Sequence, residues 1–256
     1  MGEVREVKGE RGSAPNSASC DPFGSHPHPN PSLIEGEGLL SAHLLRLLTW
    51  LSPAFPVGAF GYSHGLEQAI RDGMVGDAAS LWTWIAALVE HGSGWTDAVL
   101  LAAAWGAADA AALAEVAELA EALAISAERR REALFQGEAF LVAARPWIAS
   151  VPLQEDGKVA YPVAVGAVAG RTGVPLAATL TAWLHAFAAN LVSAAVRAVP
   201  LGQTDGVAVI AALEPVILAT AERAASSTLD DLGSAAFISD IAAMRHETLQ
   251  PRLFIS

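Results

Sequence analysis

From Leu39 onward the chain follows an apolar rhythm of three and four residues. In LLSAHLLRLLTWL, Leu40, Leu44, Leu47, Leu48 and Leu51 form one stripe at that spacing, which predicts a helix. Pro53 and Pro56 end it, and SPAFPVGAFGYSHG, rich in Pro, Gly and aromatic residues, predicts an ordered loop. GLEQAIRDG predicts a short helix closing at Gly73. Asp77 is placed to cap the next helix, whose core face is Leu81, Trp84, Ile85, Leu88 and Val89. Gly92 and Gly94 separate it from a helix that starts at Thr96 or Asp97 and reaches about Trp105.

Asp109 predicts the cap of an Ala/Glu-rich helix to about Ile125, and Ser126 the cap of a helix that Pro146 ends. Pro162 and Pro175 sit where helices begin, a position at which the missing N–H had no partner anyway. A last long helix covers about Gln203 to Ala225, with a kink expected at Pro215, and a final one about Phe237 to Thr248. Strand signals are nearly absent. The predicted fold class is all-α: a single-domain bundle of about eight to ten helices over residues 39–256. Residues 1–38, polar and Pro/Gly/Ser-rich, predict a disordered N-terminal extension.

Composition adds a requirement. Hydrophobic residues make up 53 % of the 256 and mean hydropathy is +0.38, yet much of this is Ala, which favours helix but buries little area. Such a bundle needs many long helices or a partner that covers apolar surface. The formal charge is −12 with two lysines, Lys8 and Lys158, and no clustered cations of the kind that displace phosphate counterions, so nucleic acid is not an expected partner. Arg129, Arg130 and Arg131 lie among Glu121, Glu128, Glu132 and Glu138 and read as a solvated helix face. The single cysteine, Cys20, implies no intramolecular disulfide, and the first 38 residues hold no apolar signal core, so the expected location is the cytoplasm. Residues 176–199 are long enough to cross a bilayer, but His185 and Asn190 lie mid-segment, so a buried core helix is the expectation and no membrane partner.

Candidate chemistry is sparse. Gly61-Tyr62-Ser63-His64-Gly65 satisfies G-x-S-x-G, but a nucleophile elbow needs a strand before the serine, and prolines occupy that stretch. His246-Glu247 begins an H-E-x-x-H string whose second histidine is Gln250, so it reads as a polar helix end near a contact surface. His26-Pro27-His28 lacks further ligands, and His43, His91 and His185 stand singly on apolar helices. No phosphate-cradling loop is present, so neither a catalytic site, a metal site nor a cofactor is predicted. The tail Arg252-Leu253-Phe254-Ile255-Ser256 carries three large apolar residues at a terminus, which predicts docking onto this protein's own body or onto a partner.

Four stretches in order carry a family resemblance: LSPAFPVGAFGYSHGLE at 51–67, VEHGSGWTDAVLLAAAW at 89–105, AFAANLVSAAVRAVPLGQTDG at 186–206 and SDIAAMRHETLQPRLFIS at the C-terminus. In these the chain resembles the urease accessory protein F family over residues 39–256. Its departures include Gly61 where the family commonly has Ser, and Leu249, Gln250, Pro251 and Ile255 in the tail. The resemblance implies a non-enzymatic maturation factor that works as a homodimer. Its implied partners are the scaffold accessory protein D (H in some organisms), the nickel-binding GTPase G and apo-urease, during nickel insertion. Arg245, His246, Glu247, Arg252, Leu253 and Phe254 are the residues expected to bind the scaffold protein or to dock the tail, with the polar turn Gln203, Thr204 and Asp205 as an exposed partner contact or a helix cap at Thr204. A serine hydrolase using Ser63 and a small membrane protein are the alternatives.

Overall fold

Side-chain capping sets the start of three helices in the structure, a computed structural model that describes residues 1–2, 31–148 and 159–255. Among the described residues the helices are α1 Pro31–Trp50, α2 Leu66–Arg71, α3 Ala78–His91, α4 Ser93–Trp105, α5 Ala110–Ala122, α6 Ala127–Ala143, α7 Arg145–Ile148, α8 Tyr161–Arg171, α9 Leu176–Ala198, α10 Gln203–Ala225 and α11 Phe237–His246, with 3-10 turns at Ala59–Gly61 and Leu229–Asp231. Ten of these helices are six residues or longer, no strand occurs among the described residues, and the protein is all-α. The chain divides into two units, 1–38 and 39–256. The expected disordered extension, with Cys20, His26 and His28, falls mostly outside the described residues, although α1 already begins at Pro31.

Asp77, Asp109 and Ser126 each accept the backbone N–H three residues on, as their sequence context requires. Three helix starts differ from expectation. Helix α8 begins at Tyr161, with Pro162 as its second residue. Helix α4 starts at Ser93 because Gly92 both ends α3 and caps α4, leaving no linker. Pro175 is the N-cap of α9 rather than its first helical residue. Helix α10 runs through Pro215 as one element.

The core forms where small residues let helices approach. A Cβ on Gly166 would lie 2.3 Å from the Leu101 carbonyl oxygen, and one on Gly170 2.3 Å from that of Trp105, so glycine is what seats α8 against α4. Helix α9 buries Leu180, Trp183, Leu184, Phe187 and Leu191 and packs along α10. Both α9 and α10 are long and apolar enough to cross a membrane by length and composition, but α9 spends that character on the core. Helix α1 corrects the sequence reading: Leu47 is buried, whereas Leu40, Leu44 and Leu48 of the same stripe are 57–65 % exposed. Trp50 anchors its end, edge-on to Phe140 and Trp147.

Candidate functional site

The loop 51–65 and helix α2 bring three ionisable side chains inward. Gly58 and Gly65 adopt left-handed φ values of 74° and 77°, and His64 at φ 53° shares that region, which disfavours residues with a Cβ. At Gly65 a side chain is excluded twice over: its Cβ would lie 2.6 Å from the Ala243 amide nitrogen on α11. This close approach places His64 and Glu67 against α6 and α11, where two buried charge clusters form.

In the first cluster, His64 Nε2 is 3.1 Å from Glu132 Oε1, and Arg129 links Glu132 (2.9 Å) to Asp97 (3.3 Å). The Gln136 amide donates to the same Glu132 oxygen. Arg129, expected on a solvated face, is instead buried, because its charge is matched by Glu132 one turn on and by Asp97 from α4. Burial opposes the Arg129 charge, but Glu132 and Asp97 outweigh it and hold the guanidinium above its ordinary value. Burial pushes the Asp97 carboxyl up, against the opposing pull of Arg129. Burial also raises Tyr62, with the Glu132 charge adding to it. A cavity of about 240 Å³ opens beside this cluster, walled by Tyr161, Trp183 and Phe187. That is below the roughly 300 Å³ at which small-molecule pockets usually begin.

In the second cluster, His246 is fully buried between two carboxylates: Nδ1 is 2.9 Å from Glu128 Oε2 and Nε2 is 3.2 Å from Glu67 Oε2. The same carboxylates hold the C-terminal tail. Glu67 accepts the amide N–H groups of Leu253 (2.8 Å) and Phe254 (3.0 Å), and Glu128 accepts Arg252 at 2.5 Å. Arg71 donates to the Gln250 and Pro251 carbonyls, both at 3.0 Å, and the Ile255 N–H donates to the Gly61 carbonyl at 2.7 Å. Phe254 is buried under the Arg197 guanidinium, which is 4.7 Å from its ring centre. Glu247 caps α6 from outside, accepting the Ala127 and Glu128 N–H groups.

Of the residues singled out in the sequence, the structure therefore brings His246, Glu247, Arg252, Leu253 and Phe254 together. His246 and Phe254 face inward, Phe254 being docked on the protein's own body, while Arg245 and Leu253 stay exposed. Gln203, Thr204 and Asp205 are exposed at the start of α10, and the capping side chain there is Asp205, which accepts the Gly202 N–H, not Thr204. Sequence reasoning missed Glu67, Glu128, Glu132, His64 and Asp97. The signal available for Glu67 and His64 was their place in the 51–67 stretch that carries the family resemblance.

Ser63 does not form a nucleophile elbow. It follows a 3-10 turn rather than a strand, is fully buried, and its Oγ accepts the Glu67 N–H at 3.4 Å. Among the described residues no group of three or more metal-ligating side chains has a metal-binding arrangement. The outward face of α11 carries the opposite chemistry: Phe237, Ile238, Ile241 and Met244 are 47–68 % exposed, on the side away from buried Ala242, Ala243 and His246.

These features define an all-α protein whose buried charges secure its own terminus while apolar helix faces point outward. The sequence model of the family described as UreF matches residues 75–214. The chain is 57 % identical over 214 residues to urease accessory protein UreF 1 of Brucella canis, covering 83 % of this chain and 94 % of that one. It is 57 % identical to urease accessory protein UreF of Rhizobium etli over 83 % of this chain and 96 % of the relative, and 54 % identical to that of Mesorhizobium japonicum over 84 % and 97 %. The chain belongs to the UreF family of urease accessory proteins.

Proposed function

We propose that this chain is a cytoplasmic adaptor in urease maturation, joining the scaffold accessory protein D/H to the nickel-binding GTPase G on apo-urease, and that it acts as a homodimer without catalysing a reaction itself. The observation that carries this reading is the exposed apolar stripe Phe237, Ile238, Ile241 and Met244 on α11, next in the chain to a tail that is held in one place. Contiguous apolar surface of this kind on a soluble protein marks an interface. In this reading Arg245 and Leu253 meet the scaffold protein directly, and His246, Glu247, Arg252 and Phe254 hold the tail in the presenting position. Gln203, Thr204 and Asp205 form a separate polar contact at the start of α10. The exposed leucines of α1 offer apolar surface for a further protein contact.

Co-expression with candidate D and G proteins tests this. A ternary complex co-eluting on size exclusion is expected, and its loss is expected for Ile241→Asp with helical content unchanged. Deleting residues 249–256 is expected to abolish pull-down of the scaffold protein; retained pull-down would refute the role of the tail.

A further inference from the structure

The tail is held largely through its backbone, as a bound peptide is, with Phe254 as the one side chain it adds to the core. Residues 250–255 form no helix, and five hydrogen bonds from the body read their backbone: two carbonyls by Arg71, two N–H groups by Glu67 and one N–H by the Gly61 carbonyl. Backbone pairing of that kind supplies affinity in peptide-recognition grooves, and side-chain pockets supply specificity. Here two such pockets exist. Glu128 takes the Arg252 guanidinium, and the site under Arg197 takes the Phe254 ring, while the Leu253 side chain between them is 73 % exposed. The groove walls are braced by a contact that does not involve the tail: His246 lies between Glu67 and Glu128. A receptor that stays formed independently of its ligand needs that bracing.

We propose that the groove between α2, α6, α9 and the 59–61 turn is a peptide-binding site that takes an extended segment with Arg two residues before Phe, and that the tail is its tethered, exchangeable occupant. This does not rest on the adaptor reading, since it concerns the groove and not what the exposed α11 face meets. A partner segment of the same chemistry competes with the tail, and the displaced tail, with Leu253 and Ile255, becomes free to be captured elsewhere.

The test uses the full chain. A synthetic Gln-Pro-Arg-Leu-Phe-Ile peptide is added at roughly 1 mM, the effective concentration a short tether gives its own ligand. Amide exchange at residues 253–255 is then expected to rise by at least about tenfold, because undocking now fills the groove from solution. The same peptide with Ala at its Arg and Phe positions leaves the rates unchanged. Exchange that stays unchanged with the native peptide overturns the proposal. In a second measurement, full chain carrying Arg252→Ala and Phe254→Ala is expected to bind the labelled native peptide saturably, at least about tenfold tighter than the unmodified chain does. The addition of Glu67→Gln is expected to remove that binding. Equal affinity of the two chains for the peptide overturns it as well, and the exchange measurement decides the matter should the doubly substituted chain lose its helicity.

Discussion

His246 Nδ1 lies 2.9 Å from Glu128 Oε2, joining the end of α11 to the start of α6 inside the protein. The other ring nitrogen faces Glu67, so one imidazole separates two buried carboxylates that both grip the tail. Replacing it by alanine leaves those carboxylates facing a void. His246→Ala is expected to cost at least about 2 kcal/mol, because a buried charged group loses its partner. The urea midpoint at unchanged m-value measures this, and a loss below about 0.5 kcal/mol would mean that the imidazole braces nothing.

Arg129 is the guanidinium of the other buried cluster, placed between Glu132 and Asp97. Arg129→Met keeps much of the volume and removes the charge. A loss of about 3–5 kcal/mol is expected, the usual result of breaking a buried pair from one side. Equilibrium denaturation gives the number. A neutral result would place Arg129 in solvent.

Gly65 has no room for a methyl group against the Ala243 amide and also sits at positive φ. Gly65→Ala is expected to destabilise by about 2 kcal/mol or more through backbone strain and overpacking together. It should also raise amide exchange in α11, since α11 is what the new atom strikes. Exchange confined to the 58–65 loop would show that α11 does not pack there.

Asp77 and Asp97 are displaced from the usual aspartate range in opposite directions. The Ser80 hydroxyl and backbone N–H hold the Asp77 carboxyl below the usual aspartate range. A depressed folded value gives stability that is present above the unfolded value, ~3.9, and lost as pH falls through the folded one. Asp77→Asn caps without titrating, so thermal melts between about pH 5 and pH 2 should show a shallower acid decline than the parent. Asp97, raised by burial, works the other way: its contribution is present below the unfolded value and is lost as pH rises through the folded one. An acid decline unchanged by Asp77→Asn would show that this cap is not formed.

A pairing within this chain bears on the tail. Gly61 and Ile255 meet: the Ile255 N–H donates to the Gly61 carbonyl, and a Cβ on Gly61 would lie 3.3 Å from Ile255 Cδ1. Gly61→Ser is therefore expected to loosen residue 255, read as faster exchange of its amide, and Ile255→Ala to relieve that effect in the double variant. Additive effects of the two substitutions would deny the contact.

Helix positions were legible in the sequence because the forces that set them act over three or four residues. Asp77, Asp109 and Ser126 cap the helices that follow them whatever the rest of the chain does, and the i, i+3, i+4 face of α3 is the face it buries. The motif around residues 51–67 was legible as well, as a resemblance, but not as geometry. What tertiary structure alone decided is which side of a pattern faces in. An arginine run among glutamates looks the same in sequence whether it is solvated or, like Arg129, enclosed by Asp97 and Glu132. A leucine stripe looks the same whether it packs or, like Leu40, Leu44 and Leu48, stays outside. His246 reads as a helix end until Glu67 and Glu128, more than a hundred residues away in sequence, close on it. Burial of charge is settled by partners from distant segments, since only their joint arrival offsets the loss of water, and no local pattern encodes that meeting.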